Sequence, residues 1–364
     1  MAKRVGIDKW LFFTTLVLVV TGLVMVFSAS AVVDQERYHS AYTFVLTQAV
    51  WAGVGVLAML ALMNVDVSRY NSPRFIYPVL CFTTVLLVLV FLMPNSHHTH
   101  RWIRFGDFFT LQPSEIAKPV LVFFLAWFLQ TRLGAMTDWK RTLIPAALIP
   151  MAFIFLVGTE PDLGTALVLA GATCMLLVLA GMEWKILFAA ICAALPVVAA
   201  AVVLVPWRLA RWVVFLHPES DPTGPGYHIY QSLIAVGTGG VTGRGYMEGM
   251  QKLFYLPEAS TDFIFANIAE EWGFIGSIVI VLLFGLFGAR GLRAAFRCRD
   301  PFARLVAFGI TTTILLQAFF NISVVLSLVP NKGIPLPLIS HGGTSLFCTL
   351  ASIGVLLNIS RKAD

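Results

Sequence analysis

Long apolar runs, separated by short polar clusters, dominate this chain. A helix rises 1.5 Å per residue, so about 20 apolar residues cross about 30 Å of hydrocarbon. Ten segments meet that requirement, near 10–31, 44–63, 75–93, 115–129, 143–157, 164–181, 186–205, 263–287, 302–328 and 341–359. The pattern predicts an all-α polytopic membrane protein, one transmembrane domain over residues 1–364 with about ten transmembrane helices. The first run is too long for a simple secretory signal and reads as a retained helix. Most connections are short, but residues 206–261 form a large loop between the seventh and eighth helices. Inside it, Asp221-Pro222-Thr223-Gly224-Pro225-Gly226 is turn chemistry, and Ile229, Leu233 and Val236 give 227–236 an amphipathic helical face. Gly237-Thr238-Gly239-Gly240 is either a backbone free to approach a ligand or a plain turn.

Composition agrees: 58% hydrophobic and 12% charged residues, with a mean hydropathy of +0.84, exclude a water-soluble chain. Charge then sets orientation. With the N-terminus in the cytoplasm, 16 of the 25 Lys and Arg but 6 of the 19 Asp and Glu fall on that side, so both termini face inward. The net charge of +6 therefore reflects topology; the basic residues form no single stripe, and nucleic acid is not expected as a partner. Four of the five cysteines lie in spans and the fifth, Cys298, in a cytoplasmic loop, which excludes an extracellular disulfide framework. All seven histidines lie on the outer side, which directs the search for chemistry there.

Five polar constellations stand at that face or in the loop. Arg101-Trp102 precedes Gln112-Pro113-Ser114-Glu115-Ile116-Ala117-Lys118, where Pro113 suits a first helical turn and Glu115 and Lys118 share a face, as substrate ligands or as a structural ion pair. In Glu160-Pro161-Asp162-Leu163-Gly164, Asp162 is a candidate cap. Arg211 and Lys252 are cations of the large loop. In 256–273, Thr261 or Ser260 can cap the eighth span, which would put Asp262 in its first turn at the positive end of the helix dipole. Glu270 lies eight residues on, about 12 Å along the axis, too far for a close carboxylate pair. Lastly, Lys332 and the Gly342-Gly343 pair ahead of a helix form either an anion site or a structural turn.

Taken in order, these motifs, with QSLIAVGTGG at 231–240 and NKGIPLPLISHGGTS at 331–345, closely resemble the SEDS family, the FtsW and RodA proteins of bacterial wall synthesis. The likeness covers essentially the whole chain and leans toward the division members rather than the elongation members. It implies ten transmembrane helices and peptidoglycan glycosyltransferase activity on the outer face of the cytoplasmic (inner) membrane. Lipid II would be the substrate, the growing undecaprenyl-pyrophosphate-linked glycan the donor, and a class B penicillin-binding protein, a transpeptidase, the partner. The family's essential aspartate falls on Asp262. Ser260, Trp272 and His341 depart from the residues usual in the family, and His341 leaves the detail of its loop open.

Transfer from an α-linked pyrophosphate to a β-1,4 bond inverts the anomeric centre and needs one carboxylate base. Asp262 is the expected catalytic base, with Arg101, Lys118, Arg211, Lys252 and Lys332 neutralising the leaving pyrophosphate and Glu115, Glu258, Ser340, Gly342 and Gly343 completing the substrate site. A divalent cation, Mg or Mn, is expected to bridge Asp262 and phosphate oxygens. The competing readings are a flippase for the same lipid, an elongation-type polymerase, and a scaffold that recruits a partner. Because the polar clusters lie at the outer side rather than at the bilayer midplane, the pattern favours the enzyme over a transporter.

Overall fold

The computed structural model describes residues 6–93, 101–105, 109–133, 139–204, 226–330 and 332–362, with the single positions 215 and 224. Each of the ten apolar segments coincides with a helix among them: α1 (Lys9–Tyr38), α2 (Thr43–Leu62), α3 (Pro73–Val90), α4 (Pro113–Leu129), α5 (Ile144–Thr159), α6 (Leu163–Leu179), α7 (Trp184–Val203), then α9 (Ile264–Arg297), α10 (Pro301–Val325) and α11 (Gly343–Ser360). Helix α8 (Tyr227–Gly239) belongs to the large loop, where the amphipathic pattern put it. Seven of the helices, α1, α2, α3, α5 with the turn before it, α9, α10 and α11, are long and apolar enough to cross a membrane. Their starts are written in the sequence. Asp8 accepts from the amides of Trp10 and Leu11, Asp300 from Phe302, and prolines occupy the first turns of α3, α4 and α10.

Two helices outrun their apolar segments. Helix α1 continues to Tyr38, where buried Asp34 accepts from the amide of Phe44 at 2.8 Å and so ties the end of α1 to the start of α2. Helix α9 extends past residue 287 to Arg297, since 288–297 is rich in good helix formers and needs no hydrocarbon around it. An addition to the all-α expectation is a two-stranded antiparallel hairpin, β1 (Ile103–Phe105) with β2 (Phe109–Leu111), held to α11 by Thr344 Oγ1 donating to Thr110 O at 2.7 Å.

Helix α10 is the central column, touching α4, α6, α8, α9 and α11. Close approach is achieved with glycine: a Cβ at Gly354 of α11 would lie 2.5 Å from the Met59 carbonyl of α2, and one at Gly309 of α10 would lie 2.6 Å from Val122 of α4. The outward faces carry exposed apolar side chains such as Phe13, Leu46, Leu57 and Phe82, because hydrocarbon rather than water is the solvent there. The N-terminus of α1, the C-terminus of α11 and the end of α9 meet: the Asp8 amide donates to Ser360 Oγ, and the Asp8 carboxylate pairs with Arg290 at 2.6 Å. The opposite end gathers the connections α3–α4, α5–α6, α8–α9 and α10–α11.

At that opposite end α9 breaks at Gly273 (φ 65, ψ −161). The interrupted ladder is satisfied from residues 240–245: Arg244 and Gly245 amides donate to the Glu270 and Glu271 carbonyls, and Phe274 and Ile275 amides donate to Gly240 and Val241. The side chains complete the clamp, Glu270 accepting from the Met250 and Gln251 amides and Glu271 from Met247. Such buried backbone must be satisfied internally. A Cβ at residue 273 would lie 2.3 Å from the Gly243 nitrogen. Gly273→Ala is therefore expected to cost about 1–3 kcal/mol or more and to make the 240–262 segment protease-sensitive, read by thermal melting and limited proteolysis.

Candidate active site

The approach to α9 differs from its expected form. The helix starts at Ile264 with Phe263 as its N-cap and no side-chain cap, so Asp262 precedes the helix instead of lying in its first turn. Thr261, one of the two expected caps, turns back and donates to Glu258 Oε2 at 2.8 Å. The Glu258 carbonyl accepts from the Thr261 and Phe263 amides, and Glu258 itself holds the left-handed φ of 56° that this tight reversal demands.

Asp262 is positioned by its backbone. Asn321 of α10, 1% exposed, donates through Nδ2 to the carbonyls of Asp262 and Ile334, each at 2.7 Å. Ser340 Oγ donates to the Thr261 carbonyl at 2.6 Å and accepts from the Leu336 amide, while the His341 amide donates to Ser260. The 332–341 segment is thereby strapped onto the 258–263 turn. Its Gly333 lies directly on the carboxylate: a Cβ there would be 2.7 Å from Asp262 Oδ2 and 3.9 Å from Arg101 Nη1. Arg101 is held in turn by the carbonyls of Glu160 (3.4 Å from Nε) and Pro161. Asp162 caps α6 through Thr165 and accepts from Gln112 and Ser114, which joins the α4 motif to the α5–α6 connection.

Four sequence motifs therefore meet around Asp262: Arg101, the 160–162 connection, the Glu258 turn and the Lys332-Gly333 strap. The other candidates are placed differently. Glu115 and Lys118 form a buried ion pair at 2.7 Å behind the strap, and Lys118 reaches Gln317 at 2.6 Å, whose Nε2 donates to the Pro335 carbonyl. Lys252, expected among the phosphate-neutralising cations, is 3% exposed and bound to Glu271 at 2.6 Å and to Ser28 at 2.8 Å, so it braces the loop clamp instead. Gly342 and Gly343 do not form an open anion site. Gln48 donates to the Ser340 carbonyl and accepts from the Gly342 amide, and Trp51 covers Gly343, its indole nitrogen 2.3 Å from where a Cβ would be. At Gly239 a Cβ would lie 1.9 Å from the Ala269 carbonyl, so that glycine packs α8 on α9 and faces no ligand. Arg211 and most of the 221–226 turn lie outside the described residues. Among the described residues, no three His, Cys, Asp or Glu side chains converge as metal ligands.

The convergence of acids shapes their titration. Burial, reinforced by Glu258 and Asp162 and opposed by Arg101, pushes the Asp262 carboxyl up to about 7. Glu160 is fully buried with neither carboxyl oxygen hydrogen-bonded, and burial together with Asp162 pushes it up to about 8 against the pull of Arg101. His341, stacked on Phe44 with ring centroids 4.8 Å apart, is pushed down to about 4 by burial and is neutral at physiological pH. Sequence reading missed Asn321, Gln48 and Gln317, whose one signal is a lone amide in an otherwise apolar run, and gave Gln112 no role of its own.

A carboxyl raised on folding stabilises the fold at low pH and loses that contribution as pH rises through its folded value. For Glu160 the window runs from 4.5 to about 8. Glu160→Gln, a mimic of the protonated form, is expected to leave the melting temperature unchanged near pH 4 and to raise it near pH 8.5. An equal effect at both pH values would show that Glu160 does not titrate in this window.

Residues 9–364 match the family model described as cell cycle protein, that of FtsW, RodA and SpoVE. The chain is 38% identical over 345 residues to a probable peptidoglycan glycosyltransferase FtsW of Geobacter metallireducens, covering 94% of this chain and 91% of that one. It is 39% identical over 362 residues to stage V sporulation protein E of Bacillus subtilis, covering 99% and 98%. Among solved structures, a peptidoglycan synthase complex that coordinates polymerization and crosslinking contains a chain of TM-score 0.82 at 29% identity, with 98% of each chain covered. The rod shape determining protein RodA of Thermus thermophilus gives a TM-score of 0.72 at 26% identity, covering 98% of this chain and 97% of that one. A match over nearly the full length, in sequence and in fold, places this chain in the FtsW, RodA and SpoVE family.

Proposed function

We infer that the chain is a peptidoglycan glycosyltransferase that polymerises lipid II on the outer face of the cytoplasmic membrane, in wall synthesis for cell division. The observation that carries this reading is the seating of Asp262 at the mouth of α9, its carboxylate against Gly333 and close to Arg101. A general base works best when its pKa lies near the operating pH. Asp262, raised to about 7, is partly deprotonated there and still basic enough to take the proton from the acceptor 4-hydroxyl. As the glycosidic oxygen forms, negative charge builds on the departing pyrophosphate, and Arg101, beside the carboxylate, with Lys332, next to Gly333 in the chain, are the residues assigned to stabilise it. The Glu160 and Pro161 carbonyls aim the guanidinium of Arg101 and leave its remaining N–H groups for phosphate.

A divalent cation fits this donor set in one way. Mg²⁺ is commonly held by one or two carboxylates with substrate phosphates completing its shell. Asp262, with Glu258 beside it, would hold Mg²⁺ or Mn²⁺, and the ion would neutralise pyrophosphate charge. The transpeptidase partner, a class B penicillin-binding protein, is supported by the fold shared with a chain of the synthase complex. The division role is supported by the relative named FtsW.

Supplied with lipid II, a divalent cation and the transpeptidase, the purified chain should make glycan polymer. Asp262→Asn should lower the rate at least about 10²–10⁴-fold, the usual contribution of a positioned base; undiminished polymer from that variant would remove Asp262 as the base. The rate should also fall as pH drops below about 7, following protonation of Asp262. Gly333→Ala, whose Cβ would meet Oδ2 at 2.7 Å, should lower the turnover while leaving the fold intact by thermal melting.

A further inference from the structure

The Asp8–Arg290 ion pair fastens the start of α1 to the lower part of α9 at one level, so depth along both helices can be measured from it. Lys9 and the exposed indole of Trp10, next to Asp8, mark that level as one boundary of the hydrocarbon. At 1.5 Å per residue, Val24 on α1 and Gly273 on α9 stand about 24 and 25 Å from it. Both fall within about 30 Å of hydrocarbon, near its other boundary. The large loop meets the two helices at this depth. Tyr246 donates through its hydroxyl to the Val24 carbonyl at 3.2 Å, and residues 240–245 pair with α9 across Gly273.

A loop surrounded by water turns its charges outward and its apolar side chains inward. Residues 246–255 do the reverse. Tyr246, Met247, Met250, Leu253, Phe254 and Tyr255 are all exposed, Phe254 by 57%, whereas Lys252 among them is 3% exposed and paired with Glu271. Met247 and Phe254 each hold a left-handed φ of 66°, a conformation that is costly for bulky side chains. The fold alone gives no reason to keep large apolar groups exposed on such a backbone. Glu248 is the exposed acid of the segment, which the headgroup level accommodates and the bilayer centre does not.

The backbone agrees with the depth. Irregular chain at the edge of hydrocarbon needs its polar groups satisfied by the protein. Five amides between Arg244 and Gln251 reach the carbonyls or carboxylates of Glu270 and Glu271, and those of Glu248 and Leu253 close turns within the segment. The exposed face also adjoins apolar surface on both neighbouring helices, at Val24 of α1 through Tyr246 and at Ile275 of α9 through Val241.

We propose that residues 246–255 form an interfacial anchor, their apolar face immersed in the bilayer leaflet at the Asp262 end, with phospholipid acyl chains as its occupant and the Lys252–Glu271 pair as its dry underside. Aromatic and amphipathic side chains at that level are the usual means of holding a segment at a membrane boundary. The anchor depends on depth and side-chain orientation, so it holds whether or not Asp262 is the base.

The full chain can be placed in phosphatidylcholine nanodiscs that carry a photoactivatable diazirine on the acyl chain near the glycerol, with adducts mapped by mass spectrometry. In parallel, hydroxyl radicals generated in the water phase report solvent access to methionine. Residues 246–255 are expected to carry lipid adducts, as is the exposed face of α1 around Val20 and Val24, and Met247 and Met250 should escape the oxidation that they undergo in the digested peptides. Met250→Glu/Phe254→Glu should lose the loop adducts while those on α1 persist, since carboxylates are expelled from hydrocarbon. Met250→Leu/Phe254→Leu should retain them, and melting checks that each variant is folded. Adducts on α1 but none on 246–255, with both methionines oxidised as in the digest, would show that the face meets water and overturn the proposal. Neither adducts nor oxidation would mean that another protein surface, such as a second copy, covers it, and overturns the proposal equally. Loop adducts undiminished in the folded Glu pair would do the same.

Discussion

One buried side-chain amide holds together the end of the bundle that carries Asp262. Where a helix bundle departs from helical geometry away from water, each freed carbonyl and amide needs a partner inside the protein, and an unmet one costs about 1–3 kcal/mol. Asn321 meets two of these demands with one Nδ2, bridging the Asp262 and Ile334 carbonyls. Because those carbonyls belong to the 258–263 turn and to the strap, the bridge fixes the two against each other. Ser340 and the His341 amide repeat the connection on either side. Asp262 is therefore positioned through its main chain, and its carboxylate is not tied down by a hydrogen bond from Asn321 or Ser340.

That arrangement sets the electrostatics. A carboxylate fixed by side-chain donors would be held in its ionised form and be a poor base. Here burial first, and the nearby acids Glu258 and Asp162 after it, oppose ionisation, and Arg101 limits how far they succeed. Asp162 is differently placed although it is a neighbour: it accepts from a helix amide, Gln112 and Ser114, which leaves it a structural acid. Two aspartates in one cluster are thus divided between a brace and the proposed base by what each is bonded to.

Much of this was legible in the chain. Apolar run length located ten helices to within a few residues at their starts, because hydrocarbon thickness imposes the length and Asp, Pro and Gly mark the ends. The ends of α1 and α9 were not legible, since a polar extension that remains helical carries no hydrophobic signal. Motif singled out Asp262 and Arg101, which the fold brings together; Lys252, expected as a phosphate-neutralising cation, and Gly342-Gly343, read as an anion site or a structural turn, are engaged within the protein, because charge and glycine content state what a residue can bind, not whether a partner already occupies it. Glu271 occupies Lys252; Gln48 and Trp51 occupy the glycine pair. Glu271 lies 19 residues on from Lys252, in α9, and Gln48 and Trp51 lie far from the glycine pair in sequence, on α2, so no local pattern reports them.

The break in α9 links these observations. A continuous helix through residue 273 would direct the Glu270 and Glu271 carbonyls to amides in the next turn, leaving the 240–245 segment without partners. By interrupting the ladder at Gly273, the chain frees acceptors and donors in one place, and the large loop takes all four as a ready-made docking edge. Lys252 then neutralises Glu271 beneath the loop, with Ser28 of α1 between them. The segment that leads from this clamp to Asp262 is only about ten residues long, so its freedom is limited at both ends: by the broken helix at one and by the Asn321 bridge at the other. A long loop is usually a source of disorder near a site; here the same helix whose mouth carries Asp262, the proposed base, also anchors the loop that leads to it.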